Sequence, residues 1–158
     1  MLYTSADRHV LGYLGRALSL EFSAVQQYST QSRLVAGWGL DDAARRLGQE
    51  ASEELGHVDR IIARMLALGV APNASQLRPV RLGSTLRELL LQNHSFEREI
   101  VHLYDNATRH CAAMGDHDNR LFFETLLKEE KHHVDEFARW LEELEGPAAR
   151  TPAERATF

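Results

Sequence analysis

Residues 53–59 read EELGHVD, and 76 positions later residues 129–135 read EEKHHVD. The likeness extends in register beyond these letters. At the same offset Glu21 falls on Glu97, Tyr28 on Tyr104, Glu54 on Glu130 and His57 on His133. Each half therefore carries a Glu, a Tyr seven residues later, and a Glu-x-x-His pair beginning 33 residues after the first Glu. Elsewhere the halves are not obviously alike. A repeat confined to polar groups is what a shared site leaves behind, and a shared core would not.

Apolar spacing shows where these groups sit. Leu11, Leu14, Leu18, Val25 and Tyr28 recur by threes, fours and sevens, and Glu21 belongs to that series. Glu130 and His133 belong to Leu126, Phe137, Leu141 and Leu144; Glu54 and His57 continue into Ile61 and Leu68; Glu97 lies between Leu90 and Tyr104. Four helices are predicted: from near Ser5 to Gly37, from Asp41 as N-cap to near Gly69, from Ser84 to near Gly115, and from near Asp116 to the stop at Gly146-Pro147. No stretch alternates with period two, so no strand is predicted. The outer connections are short and imply antiparallel hairpins. The middle one, VAPNASQLRPVRLG, carries Pro72 and Pro79, which forbid a continuous helix. Its extended reach of roughly 45 Å matches a helix of about 27 residues, roughly 40 Å long. Hairpin, long crossover between helices 2 and 3, hairpin is the connectivity of an all-α, ferritin-like four-helix bundle. The bundle is assigned to residues 1–146, and PAARTPAERATF (147–158), which lacks apolar periodicity, to a mobile tail.

Glu21 and Glu54 are equidistant from the first turn near Gly37, and Glu97 and Glu130 from the second near Met114, so each pair is level across its hairpin. Four carboxylates and two imidazoles then face one core. Bare buried carboxylates repel one another and are costly to desolvate. Two divalent cations cancel their charge, and a metal site is preferred to a metal-free polar network. Oxygen ligands with two imidazoles suit iron or manganese, with zinc as a further occupant. Glu21, Glu54, His57, Glu97, Glu130 and His133 are the candidate ligands and catalytic residues, in the arrangement used by dinuclear carboxylate bundles. Tyr28 and Tyr104 lie on the same faces and are expected to bond ligand carboxylates on neighbouring helices. Glu53 and Glu129 are either acceptors for the ring N–H groups or solvated charges. Glu99-x-x-His102 and Glu129-x-x-His132 fit the short pattern but lack register, and His102 and His132 are expected to face solvent. His9, His94, His110 and His117 have no paired spacing and read as surface or rim histidines.

The net charge of −5 speaks against nucleic acid or an acidic membrane surface as partner. No apolar run approaches a membrane span, and MLYTSADRH does not resemble a secretory signal, so a cytoplasmic location is expected. The single cysteine, Cys111, excludes an internal disulfide or a Cys-rich rubredoxin module and reads as a small helix residue.

The stretches LSLEFSAVQQY, GWGL, SEELGHVDRIIARMLALG and LLKEEKHHVDEFARWLEELE, with the six-residue arrangement, resemble the bacterioferritins over about residues 9–146. The resemblance implies Glu54 and Glu130 as bridging carboxylates, Glu21 and His57 completing one iron, and Glu97 and His133 the other. It implies two Fe ions per subunit, oxidation of Fe(II) by O2 or H2O2, and storage and detoxification of iron in a homo-oligomeric shell. The chain departs from the family pattern in three places. Leu55 stands where haem-binding members carry a ligand Met, so haem is not expected in this chain, and a haem-binding partner subunit is a companion known in the family. Gln49 stands at the position of an auxiliary inner-surface His, which leaves the iron route into the cavity open. The tail does not resemble the family's fifth helix, which leaves the shell open between a 24-mer, a smaller shell and a dimer. The alternative is a rubrerythrin-like di-iron peroxidase or oxidase without mineral storage; a third class is a structural or partner subunit whose metal site only stabilises the bundle, and a DNA-protecting mini-ferritin fits less well.

Overall fold

The computed structural model describes residues 7–74 and 76–146. These form four helices, α1 (Arg8–Gly37), α2 (Asp41–Ala67), α3 (Leu86–Met114) and α4 (His117–Glu145), with no strand among the described residues. α1 packs along α2 and α3 along α4, and α1 also lies against α3. The two hairpins joined by a long crossover are the predicted all-α bundle. Ser5 and the 147–158 tail lie outside the described residues.

Local chemistry explains the helix ends and corrects two of them. α1 opens at Asp7, whose carboxylate accepts the His9 N–H at 3.0 Å. α2 is not capped by Asp41: Leu40 occupies the N-cap without a side-chain bond, and Asp41 is already helical. A helical Asp41 cannot cap itself; with Asp42 it places negative charge in the first turn, where the helix dipole favours it. α3 opens one residue later than Ser84 suggested. Thr85 is the cap: its hydroxyl accepts the Glu88 N–H (3.2 Å), and the Glu88 carboxylate accepts the Thr85 N–H (3.3 Å). The tight α3–α4 turn rests on Gly115 at φ 69°, a left-handed conformation that a side chain would strain.

The predicted apolar faces are largely buried, with Leu14, Leu18, Tyr28, Ile61, Leu90, Tyr104, Leu126 and Phe137 in the core. Leu144 is an exception: it is exposed in the last turn of α4. The crossover is held along α1 by a buried amide ladder that the apolar pattern did not announce. The Gln27 amide donates to Asn93 Oδ1 (2.9 Å), and Asn93 donates to Gln31 Oε1 (2.6 Å). Outward, Gln31 donates to the Arg81 carbonyl (3.1 Å), Gln27 Oε1 accepts the Arg81 N–H (3.3 Å), and Ser23 Oγ accepts the Arg78 N–H (2.9 Å). Asn93→Leu, similar in size but unable to bond, leaves two buried glutamine groups unpartnered. It is expected to cost about 2–3 kcal/mol, lowering Tm by about 5–10 °C in thermal melts of the metal-free protein. A fall of only a degree or two would show that the ladder does little for the crossover.

Candidate metal centre

Each helix delivers its polar residues from the face that otherwise carries the core. α1 supplies Glu21, α2 Glu54 and His57, α3 Glu97, and α4 Glu130 and His133. The four carboxylates are fully buried and the two imidazoles are 4% and 3% exposed, so the cluster has little direct contact with solvent. The rings of His57 and His133 are nearly parallel, with centroids 5.6 Å apart.

The distances divide the six residues into two overlapping groups. His57 Nδ1 lies 2.6 Å from Glu130 Oε1, 3.0 Å from Glu54 Oε2 and 3.5 Å from Glu21 Oε1. His133 Nδ1 lies 2.7 Å from Glu54 Oε1, 3.4 Å from Glu130 Oε2 and 4.0 Å from Glu97 Oε2. Glu54 and Glu130 are thus common to both groups, each turning one oxygen to each ring, while Glu21 and Glu97 belong to one group apiece. These close atoms are not hydrogen-bonded to one another. Both Nδ1 atoms, both oxygens of Glu54 and of Glu130, and one oxygen each of Glu21 and Glu97 are buried without a hydrogen-bond partner. Buried polar groups are ordinarily satisfied, so eight such atoms converging from six residues fit a pair of cations as their missing partners.

The surrounding bonds cross between hairpins. Tyr28 on α1 donates its hydroxyl to Glu97 on α3, and Tyr104 on α3 donates to Glu21 on α1 at 2.5 Å. Both tyrosines therefore do bond carboxylates on a neighbouring helix. Each is steadied by a ring from α4: Phe137 against Tyr28 and Phe123 against Tyr104. His57 Nε2 lies 2.9 Å from Glu129, and His133 Nε2 lies 3.0 Å from Glu53. A carboxylate can only accept, so each ring donates from Nε2, and Nδ1, once its proton is displaced by a cation, is the atom turned to the cluster. Of the two roles open to Glu53 and Glu129, the structure shows the acceptor.

Without cations, the cluster's charge is balanced by protons. Burial, with repulsion from Glu21, Glu54 and Glu97, pushes Glu130 well above the ordinary carboxylate range. Burial and Glu54 raise Glu97 to about 7, and burial and Glu21 raise Glu54. Glu21 is the exception: burial opposes its charge, but contacts with His57 and Glu54 outweigh it and hold the group down. At His57 and His133 burial disfavours the imidazolium, yet the facing carboxylates prevail; His57 is raised and His133 reaches about 10.

The two halves differ just outside this symmetric core. Arg60 Nη1 lies 2.6 Å from Glu129 and, against the effect of burial, keeps that carboxylate below its usual range. The residue related to Arg60 by the 76-residue offset is Glu136. Near His133, Glu53 is therefore accompanied by Glu50 and Glu136, and its amide partner is Gln49 at 3.1 Å. Burial raises Glu50 to about 8. Sequence reasoning missed Arg60, Glu50 and Glu136, although unequal residues at matching repeat positions were the signal available. A groove of about 690 Å³ between α2 and α4, lined by Glu53, His57, Arg60, Glu129 and His133 among others, reaches the cluster from this side. The expectation for the decoy histidines agrees with their placement: His102 and His132 are exposed.

No described helix is long and apolar enough to cross a membrane. The family model for the ferritin-like domain matches residues 11–146. The bacterioferritin of Rhodobacter capsulatus is 40% identical over 129 residues, covering 82% of this chain and 80% of that one. A bacterial ferritin of Synechocystis is 33% identical over 138 residues (87% and 86% of the two chains), and the bacterioferritin of Brucella melitensis 32% over 126 residues (80% and 78%). The solved structure of the Rhodobacter capsulatus bacterioferritin superposes with a TM-score of 0.84 at 37% identity, covering 88% of this chain and 87% of that one. In that structure the dinuclear site is metal-free and a haem iron lies on a crystallographic special position. Fold, repeat and relatives agree, and the chain belongs to the bacterioferritins, within the ferritin-like family.

Proposed function

We propose that this chain is an iron-storage ferroxidase, binding two Fe(II) as substrate at the α1–α4 cluster and passing their electrons to O2 or H2O2. Glu54 and Glu130 would be shared by both irons, Glu21 and His57 would complete one, and Glu97 and His133 the other. The observation that carries this reading is the set of eight buried, unpartnered donor atoms on those six residues. Iron held there gives up electrons readily because carboxylate oxygens favour the higher charge.

The chain's own residues do the rest. Tyr28 and Tyr104 hold the terminal carboxylates Glu97 and Glu21 by one oxygen and leave the other free. Glu129 and Glu53 fix the imidazole tautomers, so both Nδ1 atoms stay available as ligands. The raised carboxyl and imidazole groups are the protons that must leave as cations arrive, and the α2–α4 groove gives them a path to water. Exposed apolar side chains, among them Leu55, Leu66, Met114 and Leu121, support association with further copies into a shell. Leu55 has no donor atom, which supports a subunit that does not itself ligate haem.

Iron retention tests the reading. Excess Fe(II) is added in air to metal-free protein, the protein is separated by size, and its iron is assayed. Many irons per subunit in a large soluble particle are expected. About two per subunit would instead favour a di-iron peroxidase or oxidase without mineral, and none would remove the ferroxidase assignment.

A further inference from the structure

We propose that Asp7, His9 and His110 form a separate surface site for a divalent transition cation of the Zn(II) type. Asp7 caps α1, and the bond from the His9 N–H fixes its carboxylate. His9 Nδ1 lies 3.3 Å from Asp7 Oδ1. His110 comes from the last turns of α3, and its Nε2 lies 2.5 Å from Asp7 Oδ2. The two rings are 4.9 Å apart, and one ligand atom from each of the three residues lies within 4.8 Å of the others. Tyr13 packs against the His110 ring at 5.9 Å and limits its swing.

Two imidazoles and one carboxylate within reach of a single point suit Zn(II) or Co(II). Without a cation, each Asp7 oxygen accepts one ring N–H, from His9 Nδ1 and from His110 Nε2. A divalent cation uses all three groups and needs both rings neutral. Cys111, next in the chain, is not a fourth ligand: it is buried, and burial together with Asp116 and Asp7 raises its thiol to about 11.

This site is remote from the dinuclear cluster. Helical rise places Asp7 about 21 Å from Glu21 along α1, and His110 about 20 Å from Glu97 along α3. The two histidines stand 101 positions apart, and no spacing rule relates them.

The test is equilibrium dialysis of the metal-free, full-length protein against Zn(II), comparing wild type, His9→Ala and His110→Ala. His9→Ala is the informative variant, since it leaves the Asp7–His110 pair in place. Both variants are expected to bind one Zn(II) fewer per subunit than wild type, or to bind it about tenfold or more weakly, with the Fe(II) oxidation rate unchanged. Should His9→Ala retain the wild-type stoichiometry and affinity, the three residues form only an ion pair and the proposal fails. Failure of the dinuclear reading would look different: the wild-type count would drop by the two core cations, while the difference between wild type and the variants would remain.

Discussion

Replacing Glu54 or Glu130 with Ala is expected to slow the initial oxidation of Fe(II) by at least about 100-fold while the helical circular dichroism stays intact. Loss of an outer partner of a metal ligand typically costs 10–100-fold. These two carboxylates stand nearer: each turns an oxygen to both His57 and His133, so either truncation removes a donor from both halves. Glu21→Ala and Glu97→Ala each disturb one half and are expected to leave more residual rate. The fold should tolerate these changes, because the metal-free cluster is a site of repulsion that destabilises it. Burial and three neighbouring carboxylates oppose ionisation of Glu130, so the near-isosteric Glu130→Gln relieves that cost. Its metal-free Tm is expected to equal or exceed wild type, while its gain in Tm on adding metal is smaller. Full oxidation rates in Glu54→Ala and Glu130→Ala would sink the ligand assignment.

The second large effect is a metal-free protein that weakens as pH rises and recovers with metal. Glu97 is raised from 4.5 to about 7, Glu50 from 4.5 to about 8 and His133 from 6.5 to about 10. Each binds a proton in the folded state at pH values where the unfolded chain has released it. Such groups contribute stability below their unfolded pKa and lose it as pH climbs through the folded one, so unfolding free energy falls with pH from about 4.5 to about 10. The lowered Glu21 and Glu129 act in the opposite sense, but only in the acid range below their unfolded values. For one extra folded-state proton the slope is about 1.4 kcal/mol per pH unit, giving a Tm drop of about 10 °C between pH 6 and pH 9. Cations replace those protons. Two sites at 100-fold excess over Kd add about 2.7 kcal/mol each, raising Tm by about 10–20 °C and releasing protons into a weakly buffered dye solution. Calorimetry of metal-free protein across this range checks the sign: a flat or rising Tm would mean the cluster does not hold the protons assigned to it.

Much of this is legible in the repeat itself. Period and register alone put Glu21, Glu54, His57, Glu97, Glu130 and His133 on inward faces, because residues three, four and seven apart share one side of a helix. Pro72, Pro79 and the length of the connector implied the crossover, since chain reach is a matter of covalent geometry. Other features were hidden because they depend on residues from separate helices. Asn93 looks like any helical amide until Gln27 and Gln31 are laid beside it. Arg60 and Glu136 look like surface charges until α2 and α4 place one against Glu129 and the other near Glu53. Asp7, His9 and His110 share no periodicity at all.

What the sequence by itself determined is therefore whatever follows from spacing along one helix: four helices, their inward faces, the crossover and the six polar residues of the repeat. Only the tertiary structure decided which oxygen meets which ring, that both outer pairs cross between hairpins, and that Arg60 makes the two halves electrostatically unequal. The division has a physical cause. Helix periodicity sets direction within a segment to a fraction of a turn, whereas distances between segments depend on packing, and electrostatic and hydrogen-bond energies change within an ångström.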